Sequence, residues 1–110
     1  MNHTLNEYQQ RALSFANHEM APDTAIAVWA LGLCGESGET ADHIKKWIGH
    51  GHELDLDKVE KELGDVLWYV STLADSLGLT LQDIADRNIE KLTARYGDSF
   101  SQEKSRNRAA

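Results

Sequence analysis

The sequence predicts an all-α domain, and three observations predict it. A single proline, Pro22, breaks the chain, no run of alternating β-branched residues supports a strand, and apolar residues recur at spacings of three and four along four segments. The first helix opens on Thr4-Leu5-Asn6-Glu7, a capping-box pattern, carries Leu5, Tyr8, Ala12 and Phe15 on one stripe, and ends before Pro22. The second starts near Asp23 or Thr24, short polar side chains that accept from free backbone donors, and runs to about Ile48. Gly49-His50-Gly51-His52 stops it. A third runs from about Asp57 through Val59, Leu63, Val66, Val70, Leu73 and Leu77 to Gly78. The last begins at Thr80 and carries Leu81, Ala85, Ile89, Leu92 and Tyr96 before Gly97. The expected architecture is an antiparallel bundle of about four helices, completed by dimerisation, over residues 1–100. Residues 101–110 read as a polar tail without order.

Composition narrows the function. At 110 residues, 41% hydrophobic and 26% charged, the chain suits one globular domain. Eighteen acidic against eleven basic residues argue against a broad nucleic-acid footprint. One cysteine, Cys34, excludes an intramolecular disulfide, and the residues after Met1 lack a basic-then-apolar leader, so the expected location is cytoplasmic. The longest apolar stretch, Ala25 to Cys34, is about half the length of a membrane span, so no membrane partner is expected.

Chemistry concentrates in four acids. Glu36 and Glu39 on the second helix, and Glu62 and Asp65 on the third, form two pairs three residues apart, each pair on one helical face. On a wheel, Glu62 and Asp65 fall at the edge of their helix's apolar stripe and so face the bundle's margin. Clustered carboxylates repel, and their titrations rise unless a cation sits among them. Magnesium, a hard ion that keeps waters and leaves room for phosphates, is the cofactor this donor set suggests, with manganese as its substitute. Gly32, Gly35 and Gly38 recur every third residue beside the acids, each costing about 1 kcal/mol against alanine. Close approach of another element, or space for a ligand, must offset that cost. Either acidic pair alone is equally consistent with a solvated surface.

Glu36-x-x-Glu39, 22 intervening residues, then Glu62-x-x-Asp65, followed by Asn88-x-x-Lys91-Leu92-x-x-x-Tyr96-Gly97, resembles the signature of the MazG-type all-α nucleoside triphosphate pyrophosphohydrolases. The likeness covers roughly residues 25 to 97. It implies a helical domain that dimerises, binds magnesium through the four acids, and converts a nucleoside triphosphate to the monophosphate and pyrophosphate. His50 and His52 in the loop, and a basic tail through Lys104, Arg106 and Arg108, depart from that pattern.

Other residues are candidates for the substrate. Asn88, Lys91 and Arg95 align along one edge of the last helix and are suited to phosphate oxygens, as is Lys46, nearer the face of Glu39. Trp29 and Trp47, five turns apart, project in one direction and flank the acids, and Tyr69 lies one turn after Asp65; these three are the candidates to stack on a base. His43, one turn after Glu39, reads as a structural histidine. Trp68 points away from its helix's apolar stripe, an exposed aromatic that suggests self-association. The leading expectation is a magnesium-dependent hydrolase of an NTP or dNTP, a homodimer or homotetramer, with Glu36, Glu39, Glu62 and Asp65 as metal ligands and catalytic acids. Two alternatives are a phosphoribosyl-ATP pyrophosphohydrolase-like enzyme and a non-catalytic, metal-stabilised helical dimerisation module.

Overall fold

The computed structural model describes residues 2–107. Its helices are α1 (Leu5–Leu13), α2 (Pro22–His50), α3 (Leu56–Ser76), α4 (Leu81–Tyr96) and α5 (Gln102–Arg106), and the described residues contain no strand. The expected capping box closes α1: Thr4 Oγ1 accepts from the Glu7 amide and the Glu7 carboxylate accepts from the Thr4 amide, both at 3.1 Å. The start of α2 differs from expectation. Pro22 occupies the first turn after Ala21, which offers no side-chain cap, because proline's fixed φ already suits a helix start and its missing N–H would have no partner there. Asp55 caps α3 and Thr80 caps α4, each through a side-chain oxygen. Gly51, with φ of 72°, ends α2 in the left-handed conformation that glycine adopts without steric cost. Gln102–Arg106, within the segment expected to lack order, is a short helix, and the Lys104 ammonium donates to the Tyr96 carbonyl at 2.5 Å. Arg108, expected in the basic tail, lies outside the described residues.

α2 and α3 form an antiparallel hairpin, the principal packing pair. A step forward along α2 is matched by an equal step back along α3. Gly32 meets Tyr69, Glu36 senses Asp65, and Glu39 with Glu62, then His43 with Lys58, line one groove. α1 lies across α3 and also holds α4. The clasp is Gln9, 4% exposed: its Nε2 donates to the Ser71 and Leu79 carbonyls and its Oε1 accepts from the Leu81 amide. A buried amide satisfied three ways fixes the α3–α4 turn.

The position of α1 corrects the reading of Trp68. Its Nε1 donates to the Ala12 carbonyl at 2.9 Å, and its ring stands edge-on to Trp29 at 5.5 Å. The face opposite the apolar stripe of α3 is the face α1 covers, whereas within that stripe Leu63 and Leu77 are exposed and Val59, Val66, Val70 and Leu73 half-buried; Leu56 and Leu67 are exposed as well. The buried apolar set among the described residues is small, comprising Ala12, Trp29, Ala74 and Leu81. The radius of gyration, 16.9 Å, exceeds the roughly 13 Å of a compact chain of this size.

Candidate metal and phosphate site

The four acids meet where the hairpin register brings two consecutive layers of α2 against two of α3. Glu36 is half-buried, and its carboxyl is pushed above the usual range, first by burial and then by the negative charges of Glu39, Asp65 and Glu62. The sequence-predicted quartet is therefore one electrostatic cluster. Glu62 is 8% exposed, and one of its oxygens, like one of Glu36's, is buried without a hydrogen-bond partner. An orphaned buried carboxylate oxygen costs free energy that a cation would offset. Among the described residues no group of three or more His, Cys, Asp and Glu side chains is drawn close enough to hold a metal ion as it stands. The donor set fits a hard ion that completes its shell with water and phosphate oxygen better than one caged by protein.

A groove of about 430 Å³ opens beside the acids, lined by Gly35, Gly38, Glu39, Asp42, His43, Lys46, Lys58 and Glu62. Gly35 and Gly38 have nothing within 4 Å of a would-be Cβ, so they leave room, whereas Gly32 is close-packed by the Tyr69 ring. Both ways of offsetting helical glycines are thus in use. The Lys46 ammonium is 2.9 Å from the Asp42 carboxylate, which holds that carboxyl below its usual range and raises the lysine. His43 Nε2 accepts from the Asp55 amide at 3.3 Å, a contact that also ties α2 to the start of α3.

Three residues of this site were not singled out from the sequence. Tyr8 is close enough to Asp65 for that charge, after burial, to raise its phenol; in the sequence it is one more member of an apolar stripe, and nothing local relates α1 to α3. Asp42 and Lys58 line the groove. Only the four-residue spacing of Asp42 and Lys46 was visible as a signal.

Several candidates stand elsewhere. Trp29, 7% exposed, packs edge-on to Trp68 and at 6.3 Å from Tyr69, so it is core and not a wall open to a base. Tyr69 is half-buried, its ring seated on Gly32 and T-shaped to Trp68 at 5.0 Å. Trp47 is exposed, about 27 Å along α2 from Trp29. Asn88 and Lys91 line a different hollow, of about 350 Å³, with Leu79, Asp83, Ile84 and Arg87. Arg95 lies over the Tyr96 ring at 5.7 Å, with its Nε buried and unpartnered. α4 packs on α1 and α5, so one chain does not bring Asn88, Lys91 or Arg95 to the acids.

The model of the MazG nucleotide pyrophosphohydrolase domain matches residues 26–100, a span that contains all four acids. The chain belongs to the MazG family. The MazG match is accompanied by a relative in Mycobacterium phage L5, the Gene 37 protein, 41% identical over 69 residues that cover 59% of this chain and 60% of that one. The chain thus spans about 60% of the length of the curated relative it matches. No solved structure matches. Among the described residues no helix is long and apolar enough to cross a membrane.

Proposed function

We propose that this MazG domain is a magnesium-dependent nucleoside triphosphate pyrophosphohydrolase, releasing the nucleoside monophosphate and pyrophosphate. The observation that carries the reading is the convergence of Glu36, Glu39, Glu62 and Asp65 in the α2–α3 seam, with a buried carboxylate oxygen on each helix left unpartnered. A divalent cation held there would neutralise phosphate oxygens and acidify water. The protein's own part is placement. Glu62 is fixed by burial, half-buried Glu36 stands beside it, Glu39 lines the groove, and the space beside Gly35 and Gly38 admits a polyphosphate chain. The carboxylates also supply the proton acceptor that hydrolysis at the α-phosphorus requires.

A second copy of the chain completes the core. Leu56, Leu63 and Leu67 of α3, and Leu77 just after it, are exposed, and burying apolar surface of this kind is what drives helix pairing. The expected particle is a homodimer or a dimer of dimers. Sedimentation of the intact protein, and of a Leu63→Glu/Leu67→Glu variant that separates the copies, checks this.

The activity is tested by incubating the protein with magnesium and a panel of canonical, uracil-containing and damaged triphosphates, resolving pyrophosphate from single phosphate. The expected product is pyrophosphate. Glu62→Gln is expected to lower kcat/KM by about 100-fold or more, the scale of losing one positioned charge at a reacting phosphate. Release of single phosphates, or full activity in Glu62→Gln, sinks the reading.

A further inference from the structure

The groove beside the acids is chemically two-ended. At one end stand Glu39 and Glu62, and at the other stand His43 and Lys46, about 6 and 10 Å further along α2, with Lys58 on α3. The next layer in the opposite direction is Glu36 with Asp65, and beyond it Tyr69 closes the seam over Gly32. The order along one line is therefore aromatic, acidic, acidic, basic. We propose that the basic end is the subsite that receives the pyrophosphate leaving group, with His43, Lys46 and Lys58 on the β- and γ-phosphates while the acids serve the scissile end.

Four observations carry this. First, the volume, about 430 Å³, lies in the range of small-ligand sites and admits more than the cations that four carboxylates need. Second, Glu62, more than nine-tenths buried, lines this groove with an unpartnered oxygen, so the groove is the open side of the acidic cluster and not an unrelated dent. Third, the cations are free to act. Lys58 has no ion pair among the described residues, and Lys46 is held only by partly exposed Asp42, a type of pair worth about 1 kcal/mol or less that a phosphate can displace. Fourth, His43 accepts a backbone N–H at Nε2, so its own proton sits on Nδ1 and the neutral ring retains one donor for the groove it lines. Asn88 and Lys91 occupy another hollow in the same chain.

The proposal rests on the pyrophosphohydrolase reading and gives it a direction: the β- and γ-phosphates run toward Lys58, with the α-phosphorus at the acids. The test measures binding of inorganic pyrophosphate by calorimetry, in magnesium, to the intact protein and to Lys58→Ala, Lys58→Arg and Lys91→Ala variants, with thermal melts confirming that each is folded. Lys58 is exposed on the first turn of α3, so its truncation leaves the fold intact. Lys58→Ala is expected to weaken pyrophosphate about tenfold, Lys58→Arg to retain most of the affinity, and Lys91→Ala to change it less than twofold. Affinity unmoved in Lys58→Ala, affinity lost in Lys91→Ala instead, or no pyrophosphate uptake by the intact protein overturns the proposal. Lys58-dependent pyrophosphate binding in a protein that cleaves no triphosphate would sink the pyrophosphohydrolase reading and leave this subsite standing.

Discussion

At Gly32 the α2–α3 seam is filled by the Tyr69 ring, whereas at Gly35 and Gly38, one and two turns on, nothing stands within 4 Å of where a side chain would begin. The helices, their register and even the residue type are shared, yet one half of the seam is packed and aromatic and the other open and charged. The packed half holds Trp29, Trp68 and Tyr69 in edge-to-face and tilted contacts at 5.0 to 6.3 Å. The open half holds four carboxylates, and the charges of Glu39, Asp65 and Glu62 add to burial in raising the proton affinity of Glu36. Stability and chemistry are thus separated along a single hairpin, and the aromatic half anchors the geometry that keeps the acids together against their repulsion.

The largest expected effect comes from breaking the packed half. Trp29→Ala removes a 7%-exposed indole and both of its aromatic contacts, and is expected to cost about 3–5 kcal/mol in urea unfolding. Trp47→Ala, at an exposed position on the same helix, is expected to cost about 1 kcal/mol. Equal losses would mean that the anchor lies elsewhere. The next effect sharpens the contrast through its sign. A methyl group at Gly32 would overlap the Tyr69 ring, which Trp29 and Trp68 flank, so Gly32→Ala is expected to destabilise by about 1–3 kcal/mol. Gly35→Ala meets no neighbour and gains helix propensity, so it is expected to stabilise by up to about 1 kcal/mol while narrowing the groove and slowing turnover. Matching signs for the two alanines would erase the distinction.

How much of this was legible in the sequence follows from the range of the forces involved. The caps at Thr4 and Thr80 and the stop near Gly51 are local, and the sequence places them to within a residue or two. The two acidic pairs are also local, and antiparallel packing of two long helices suffices to bring them together. What failed depends on a third element. Trp68 points away from its helix's apolar stripe, as the wheel requires, but whether that face meets water or α1 is decided by Gln9 and Ala12, fifty to seventy residues distant in the chain. The same nonlocality hid Tyr8 beside Asp65 and placed Asn88 and Lys91 away from the acids, since α4 follows α1 and not the hairpin.

The smallest expected effect probes the open half through pH. The Glu36 carboxyl is raised in the folded protein by burial and by its acidic neighbours, whereas in the unfolded chain it ionises at its ordinary value. As pH climbs from that ordinary value through the raised one, the unfolded state has already released a proton that the folded state still binds, so this group's contribution makes stability fall with rising pH across the window. Glu36→Gln removes the contribution. In chelator at neutral pH the variant is expected to melt slightly above the parent, and below the ordinary carboxylate range the two are expected to melt together. The gap is small because the site is partly open to water, and added salt shrinks it further. Magnesium should reverse the order, since a cation that binds only the folded form stabilises the parent and has one carboxylate fewer to bind in the variant. A Glu36→Gln protein that melts below the parent in chelator would show that Glu36 is satisfied by some other partner, and the four acids would then be four surface charges and not one site.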